Sequence, residues 1–208
     1  MSSPDGTLPA AARFISFEGG EGAGKSSQMT LLAERLRSLS VDVVTTREPG
    51  GCPVAERIRA LVVGGQPGDF DIRSEWLLML AARVEHLRAV IRPALARGAW
   101  VLCDRFSDST LAYQGYGRGL DLESLVAMNR FVQDGVTPDR VILLDVEPPV
   151  GLARAVGKNR FEAEQLAFHQ RVRAGYLALA VAEPVRWRVI DAHEDPACVA
   201  EAVWRAVV

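Results

Sequence analysis

The segment FEGGEGAGKSSQ, residues 17–28, decides the fold class of this chain. It contains Gly19, Gly24, Lys25 and Ser26 at the spacing G-x-x-x-x-G-K-S. An apolar run typical of a strand precedes the segment, and apolar residues at helical spacing follow it. Glycines let backbone N–H groups and a helix N-terminus approach anionic oxygens, so this context predicts a phosphate-binding loop between a strand and a helix.

We expect the loop to bind ATP. The residues predicted to contact the nucleotide are Gly19, Gly20, Glu21, Gly22, Ala23, Gly24, Lys25, Ser26 and Ser27. Lys25 would reach the outer phosphates, and the hydroxyl of Ser26 is placed to bind Mg²⁺. The loop alone leaves kinases, GTPases and ATPase motors open. We find no guanine-reading motif of the NKxD type, and 208 residues leave little room for motor modules, so a small-molecule kinase is the leading class.

Composition excludes several other classes. The chain is 49% apolar and 24% charged, which is typical of a globular protein, and its length favours one domain over residues 13–208. A formal net charge of -2 provides no basic field for nucleic acid and no polybasic stretch for a membrane surface. Three cysteines without a CxxC spacing indicate reduced thiols in a cytoplasmic protein. Residues 1–12 lack the features of a signal peptide and are expected to form a disordered tail.

Strand-like runs alternate with helical patterns along the chain. The runs are apolar and show little alternation, as strands covered on both faces do, and they span 13–19, 41–48, 99–105, 139–146 and 186–192. Between them, apolar residues recur at helical spacing. The pattern predicts an α/β fold of three layers, in which helices cover both faces of a five-stranded parallel sheet.

Several residues predict where helices begin and end. Apolar residues from Leu77 to Leu95 follow one helical pattern, and Gly98 is placed to end that helix. Asp121 is the candidate N-cap of a helix over 122–133. Asp195, followed by proline, predicts the start of the last helix.

Charged residues follow the second and third strands at the point where each strand ends. Arg47 and Glu48 end the second run, and Asp104 and Arg105 end the third. Ligands of open α/β sheets bind beyond the carboxyl ends of the strands, so these side chains are expected to face the crevice beside the loop. An aspartate there can hold the water shell of Mg²⁺, and an arginine can bind a phosphate through two N–H groups.

Five motifs occur in order: EGGEGAGKS (18–26), TREPGG (46–51), AAR (81–83), DRFSDSTLAYQG (104–115) and RFE (160–162). Together they resemble the bacterial thymidylate kinases, and the match extends from about residue 13 to the C-terminus. The resemblance implies the P-loop fold of the nucleoside-monophosphate kinases, with a five-stranded parallel sheet and a short mobile lid, here around 154–163. It also implies a homodimer that transfers the γ-phosphoryl group of ATP to dTMP with Mg²⁺, which gives dTDP for dTTP synthesis.

The resemblance also assigns residues to dTMP: Glu21, Arg47, Glu48, Pro49, Met79, Arg83, Arg105, Ser109, Tyr113 and Gln114. It makes Arg83 the reader of the thymine ring and places Arg47 and Arg105 around the phosphate. Tyr113 resembles the residue that crowds the ribose 2′ position, and Gln114 resembles a neighbour of the base. The same resemblance supports a metal site at Ser26 and at Asp104, the latter through water.

Phosphoryl transfer develops negative charge, which mobile arginines commonly neutralise. Glu21 cannot supply a cation, and the resemblance places this acid near the 3′-hydroxyl of dTMP. The same resemblance places the missing arginines in the lid, so that the candidate catalytic residues, besides Lys25 and Arg105, are the basic lid residues Arg154, Lys158 and Arg160. Arg160 is the first choice because its planar guanidinium group can bind two phosphate oxygens, and Lys158 is the second.

Two departures from the family leave assignments open. The lid is about three residues shorter than in relatives, and Asn159 stands where relatives often have aspartate, so the contact with the phosphoryl group stays open among the three basic residues. Met79 stands where relatives often have phenylalanine. It either gives the base a sulfur contact or belongs to the core.

Two other functions remain as alternatives. A kinase for a deoxynucleoside or for another monophosphate would keep the phosphate-binding loop, but it would lack Arg83 in combination with Tyr113 and Gln114. A non-catalytic nucleotide sensor would keep the binding residues without needing a basic lid.

Overall fold

The computed structural model describes residues 13–155 and 160–208. The predicted tail over 1–12 and the lid residue Lys158 lie outside the described residues. Five strands match the five predicted runs, and they are β1 (Phe14–Glu18), β2 (Val43–Arg47), β3 (Trp100–Asp104), β4 (Arg140–Asp145) and β5 (Trp187–Asp191).

The strands form a parallel sheet in the order β2-β3-β1-β4-β5. The central strand β1 pairs with β3, where Phe14 lies opposite Val101, and with β4, where Ile15 lies opposite Arg140. All five residues of β1 are buried. Burial on both faces explains why the sequences of the inner strands β1, β3 and β4 do not alternate, whereas the edge strands β2 and β5 are partly exposed, unlike the buried strands predicted there. The architecture confirms the predicted α/β fold.

Helices cover both faces of this sheet. They are α1 (Lys25–Ser38), α2 (Pro53–Val63), α3 (Ile72–His86), α4 (Arg92–Ala96), α5 (Ser107–Thr110), α6 (Leu122–Gln133), α7 (Pro148–Arg154), α8 (Leu166–Ala182) and α9 (Pro196–Val207). Ile15 and Phe17 of β1 share a core cluster with residues of α1 and α9. Val141 and Leu143 of β4 pack with residues of α8 in another cluster. Within the described ranges, the helices are too short or too polar to cross a lipid bilayer.

Two π-helical segments, whose turns are wider than those of an α-helix, extend α-helices of the fold. A π-helical segment over Leu87–Ile91 connects α3 to α4, so that a single helical run covers residues 72–96. A second π-helical segment, Leu111–Gly117, continues α5. Such turns often occur at functional sites. The second one carries the predicted substrate residues Tyr113 and Gln114.

The predicted helix boundaries are confirmed. Gly98, just beyond α4, has a left-handed φ of 86°, which ends the helical run. The side chains of Asp121 and Asp195 each accept a hydrogen bond of 2.8 Å from a backbone N–H of the helix that follows. These caps depend only on neighbouring residues, and for this reason the sequence predicts them well.

The phosphate-binding loop packs directly against α7. Gly22 has a left-handed φ of 63°, and a Cβ atom at this position would overlap the carbonyl oxygen of Gly151 in α7. Conversely, a Cβ atom on Gly151 would overlap the carbonyl oxygen of Glu21. Two glycines therefore allow the two backbones to touch. The position of the loop depends on α7, the helix that leads into the predicted lid.

We expect Gly151→Ala to lower the free energy of unfolding by about 1–3 kcal/mol, because the added methyl group must displace backbone atoms. Gly20→Ala is the matched control, since an added Cβ there meets nothing within 4 Å. The control should change stability by less than about 0.5 kcal/mol. Urea unfolding followed by circular dichroism gives both values. Equal stability of the two variants would contradict the close approach of the loop and α7.

Candidate active site

The phosphate-binding loop closes around the amino group of Lys25. Its Nζ donates to the carbonyl oxygen of Gly20 at 2.7 Å and to that of Gly19 at 3.3 Å. Lys25 is also the first residue of α1, and Gly24 before it has a left-handed φ of 85°. Burial first, and then the charge of Arg105, lower the pKa of Lys25. The loop thus presents a cation and a helix N-terminus where the sequence predicts the phosphates.

Ser26 and Asp104 meet where the loop approaches the end of β3. The hydroxyl of Ser26 donates to Oδ2 of Asp104 at 2.7 Å. Both side chains offer the hard oxygen ligands that Mg²⁺ prefers, and two protein donors leave coordination positions for water and phosphate oxygens. The pair that the sequence predicts for Mg²⁺ is therefore brought together, and its chemistry fits that ion.

Arg105 links the end of β3 to the phosphate-binding loop and to α8. Its φ of 68° is left-handed, which is uncommon for a residue other than glycine. Nη1 donates to the carbonyl oxygen of Gly19 at 2.8 Å and to the hydroxyl of Tyr176 at 3.0 Å. Nη2 donates to the carboxylate of Glu21 at 3.0 Å. Contacts with the loop and with α8 hold the guanidinium group and offset the backbone strain.

Glu21 lies between Arg105 and Tyr113. Its Oε1 accepts hydrogen bonds from the guanidinium group at 3.0 Å and from the Tyr113 hydroxyl at 2.8 Å. Burial opposes ionisation of Glu21, but the charges of Arg105 and then Lys25 outweigh it and lower the pKa of this carboxyl to about 2. The acid in the loop is therefore a counter-ion for Arg105, and it also fixes the ring of Tyr113.

Arg83 is buried and held by four hydrogen bonds. Nε donates to Glu48 at 2.7 Å, and Nη1 donates to Asn129 at 2.9 Å. Nη2 donates to the hydroxyl of Thr110 at 3.0 Å and to the carbonyl oxygen of Phe106 at 3.2 Å. Among the described residues, these bonds use four of the five N–H groups of the guanidinium, so one Nη1–H remains for a ligand.

The two charged residues at the end of β2 point in different directions. Glu48 is buried and binds Arg83, and it also contacts Nδ1 of His86 at 3.0 Å. Arg47 is half exposed and binds both carboxylate oxygens of Glu56 at 2.9 and 3.0 Å. Glu48 thus orients the predicted base reader from behind, whereas Arg47 lies at the rim of the site.

Two cavities meet at the carboxyl edge of the sheet. We call the first the substrate cavity, and its lining is Glu21, Glu48, Pro49, Arg59, Val63, Met79, Arg83, Arg105, Phe106, Ser109, Thr110, Tyr113, Gln114 and Phe161. We call the second the phosphate cavity, and its lining is Glu21, Gly22, Ala23, Gly24, Lys25, Ser26, Ser27, Arg47, Glu48, Arg59, Asp104, Arg105, Arg154, Ala155 and Glu162. Glu21, Glu48, Arg59 and Arg105 line both cavities.

The structure brings the predicted dTMP residues together in the substrate cavity, with the exception of Arg47. Arg47 lines the phosphate cavity instead. Met79 lines the substrate cavity, and it also packs against a core cluster that contains Phe161. Met79 therefore belongs to the core and to the cavity wall, and its sulfur contact with the base stays a prediction.

The two described lid arginines lie in different places. Arg154 ends α7, donates to the carbonyl oxygen of Ala192 at 2.8 Å and lines the phosphate cavity. Arg160 is only 1% exposed, donates to the carbonyl oxygen of Val62 at 2.9 Å and forms an ion pair of 2.8 Å with Glu75. The structure does not bring Arg160 to the phosphate cavity, because its guanidinium group would have to break a buried ion pair to reach it.

Arg59 and Phe161 line the site without having been assigned a role from the sequence. Arg59, on α2, donates to the carbonyl oxygen of Pro49 at 2.9 Å and lines both cavities. A lone arginine on a helix gives no signal of function, since most such residues face solvent. Phe161 packs edge to face on Tyr113, with ring centroids 5.8 Å apart. Its position in the RFE motif is the sequence feature that could have indicated that Phe161 lies at the site.

Comparisons with known proteins supply the family. The family model described as thymidylate kinase matches residues 17–203. The chain belongs to the thymidylate kinase family. The thymidylate kinase of Magnetococcus marinus is 55% identical over 199 residues, which cover 94% of this chain and 95% of the relative. That of Solidesulfovibrio magneticus is 52% identical and covers 93% and 98%. The crystal structure of thymidylate kinase from Ehrlichia chaffeensis aligns with a TM-score of 0.79 at 36% identity, over 95% and 99% of the two chains.

In this member of the thymidylate kinase family, Glu18 supports the site from within the sheet. Its carboxyl accepts hydrogen bonds from the hydroxyls of Ser109 at 2.6 Å and Tyr176 at 3.1 Å, and Tyr176 in turn binds Arg105. Burial first, and the nearby carboxylate of Asp108 second, raise the pKa of Glu18 to about 7. The Glu18 carboxyl therefore titrates near neutral pH. Tyr176 connects it to Arg105, one of the residues predicted to contact phosphate.

We expect the contribution of Glu18 to the free energy of unfolding to fall as the pH rises from about 4.5 to about 7, the ordinary and the raised pKa of its carboxyl. Across this window the folded protein keeps a proton that the unfolded chain has already lost, so higher pH favours unfolding. The loss is at most about 3 kcal/mol. Urea unfolding of the wild type and of Glu18→Gln at pH 4.5 and 7.5 isolates the effect, because the variant lacks the titrating group. The same pH dependence in both proteins would refute the raised pKa.

Proposed function

We propose that the substrate cavity binds dTMP and that the phosphate cavity binds the phosphates of ATP. As a member of the thymidylate kinase family, the protein phosphorylates dTMP to dTDP, a step of dTTP synthesis for DNA replication. One observation supports the assignment of dTMP and ATP to adjoining cavities: Glu21 and Arg105 line both of them. An acceptor phosphate at this junction lies beside Arg105 and faces the loop, so the two reacting groups are held next to each other.

The substrate cavity offers contacts for each part of dTMP. The free Nη1–H of Arg83 donates to a carbonyl oxygen of the base, and Met79 contacts the ring face. Tyr113, fixed by its bond to Glu21, crowds the ribose 2′ position and so disfavours ribonucleotides. Gln114 lies beside the edge of the base.

Arginines at the junction bind the phosphate of dTMP. Arg105 is already in place, and Arg59 lines the same junction from α2. Arg47 reaches this phosphate only by leaving Glu56, to which it is bound in this structure. We therefore assign the phosphate of dTMP mainly to Arg105 and Arg59, with Arg47 as a rim contact.

The phosphate cavity suits ATP and Mg²⁺. Lys25 and the backbone of the loop bind the outer phosphates, and Ser26 and Asp104 would hold Mg²⁺, with Asp104 acting through water. When bound, Mg²⁺ neutralises charge on the phosphates. A further cavity runs from the loop past Arg154 to residues 192–196, and we assign it to the base of ATP.

Arg154 replaces Arg160 as our first candidate for the lid cation. Arg154 lines the phosphate cavity, and among the described residues its guanidinium group donates to a backbone carbonyl oxygen, which it can leave at little electrostatic cost. Arg160 would have to leave Glu75 unpaired and buried. Lys158, which lies outside the described residues, remains the second candidate.

Single-turnover rates at saturating dTMP and ATP test this assignment. Arg154→Met is expected to slow phosphoryl transfer by about 10²- to 10³-fold, because a charge that stabilises the transition state is lost. Its dissociation constant for dTMP should stay within about threefold of the wild type, since Arg154 does not line the substrate cavity.

Arg160→Met and Lys158→Met are the matched controls. Arg160→Met should lower stability and change the rate by less than about tenfold, because Arg160 is an internal anchor. If Arg160→Met retains its stability and yet loses more rate than Arg154→Met, the original assignment from the sequence is correct. If Lys158→Met shows the largest loss, the lid cation is Lys158.

We also propose that the protein acts as a homodimer and that residues 13–208 form one domain in the cytoplasm. The described elements surround a single sheet, and the three cysteines are free thiols, which suits a reducing compartment. The neighbouring helices α2, α3 and α6 each leave large apolar side chains exposed. Leu77 and Val84 of α3 are 54% and 44% exposed, and Phe131 of α6 is 77% exposed. A partner that covers these helices removes that apolar surface from water.

Light scattering after size exclusion tests the dimer. We expect the wild type to have twice the chain mass and Val84→Asp to have the mass of one chain, because a buried unpaired carboxylate disfavours association. Val185→Asp is the control, since Val185 is 82% exposed but lies in none of the three helices. A monomeric wild type, or dissociation caused equally by both substitutions, would disprove this interface.

A further inference from the structure

Glu75 is a buried carboxylate that no motif of the sequence points to. It lies in the first turn of α3 and is almost inaccessible to solvent. Its Oε2 faces the Nη2 atoms of Arg118 at 3.2 Å and Arg160 at 2.8 Å. Its Oε1 accepts a hydrogen bond from Nε2 of Gln114 at 2.8 Å. The carboxylate thus has a charged side, toward two arginines, and a neutral side, toward one amide.

The charged side of Glu75 is balanced without Gln114. Arg118 also donates to Glu164 at 2.6 Å, so two guanidinium groups and two carboxylates form one buried network. This network joins α3 to the segment after the lid. Opposite charges inside a protein stabilise each other when each has a partner. The bond to Gln114 is not needed for charge balance, which leaves the question of what it does.

The bond to Glu75 fixes the direction of the Gln114 amide. An amide has a donor end, Nε2, and an acceptor end, Oε1. A carboxylate only accepts hydrogen bonds, so the donor end of Gln114 must face Glu75. Gln114 lines the substrate cavity together with Arg83. The acceptor end of the amide is therefore the end that remains for a ligand in that cavity.

A hydrogen-bond acceptor at this place distinguishes two pyrimidine bases. Thymine has an acceptor at O4 and a donor at N3–H, which match the free N–H of Arg83 and the Oε1 of Gln114. Cytosine has a donor at its 4-amino group and an acceptor at N3, which oppose both protein groups. A reversed amide at Gln114 would lose half of this discrimination, because unpaired polar groups in a cavity oppose binding.

We infer that Glu75 is a positioning residue that sets the amide direction of Gln114 and thereby the preference for thymine over cytosine. The inference rests on the proposed position of Gln114 beside the base. Glu75 itself does not line the substrate cavity, so its effect on the base passes through Gln114.

The substitution Glu75→Gln reverses the direction of the Gln114 amide. Arg118 and Arg160 both contact the Oε2 side, so they select the oxygen of the new amide on that side. The new NH₂ group then faces Gln114, which must turn its own oxygen toward it and its NH₂ toward the cavity. Nε of Arg118 also approaches Oε1, but only at 3.4 Å, so it is a weaker determinant.

The experiment compares kcat/KM for dTMP and dCMP. We expect Glu75→Gln to lower the dTMP:dCMP ratio by roughly ten- to a hundredfold, mostly through KM. Glu164→Gln is the matched control, because it removes a carboxylate from the same network without touching Gln114. It should lower the melting temperature and leave the ratio within about twofold of the wild type. An unchanged ratio in a folded Glu75→Gln variant overturns the inference.

Gln114→Leu separates this inference from the proposed function. If this variant keeps the wild-type ratio, Gln114 does not lie beside the base, and the proposed site fails together with the inference. If the variant lowers the ratio and Glu75→Gln does not, the site stands and the role of Glu75 is wrong. The inference is supported when both variants lower the ratio and Glu164→Gln does not.

A measurement on the unaltered protein covers the case in which Glu75→Gln does not fold. Neutron diffraction of the dTMP complex after exchange into D₂O locates the two deuterons of the Gln114 amide. We expect them on the side of Glu75, with the oxygen toward N3 of the base. Deuterons that point into the substrate cavity would overturn the inference without any substitution.

Discussion

The guanidinium group of Arg105 is the point on which the active site depends. It is bound by the carbonyl oxygen of Gly19, the carboxylate of Glu21 and the hydroxyl of Tyr176, and so it joins the phosphate-binding loop to α8. A buried cation needs a nearby anion when no phosphate is bound. Glu21 supplies that anion, which explains why a loop built for phosphates contains an acid.

Other buried arginines of this protein are also paired with carboxylates. Arg83 is held by Glu48 beside the substrate cavity, and the buried Arg160 is held by Glu75. The pair with Glu48 leaves little freedom to Arg83, so this donor of the substrate cavity is fixed before a ligand arrives. Fixed donors need no reorganisation when charge develops during the reaction, and this reduces the cost of reaching the transition state.

The structure brings residues predicted at the strand ends to the site, but it holds the lid residue Arg160 in an internal ion pair. The carboxyl ends of β2 and β3 lie at the same edge of the parallel sheet as the phosphate-binding loop. The sheet topology alone therefore brings Glu48, Asp104 and Arg105 to the site. Within the lid, spacing along the chain does not tell which way a long side chain points. Arg160 was therefore assigned to the phosphoryl group, although the structure binds it to Glu75. Arg59 was missed because a single arginine on a helix has no distinguishing pattern.

The sequence alone determined the local features of this protein: five strands, the phosphate-binding loop and the helix caps at Asp121 and Asp195. Each depends on residues within a few positions of one another, so local spacing and residue type are sufficient to predict them. Tertiary structure alone decided the strand order, the partners of Arg160 and the direction of the Gln114 amide. These depend on charges and hydrogen-bonding groups that are distant in sequence and become neighbours only after packing, when burial makes an unpaired polar group costly.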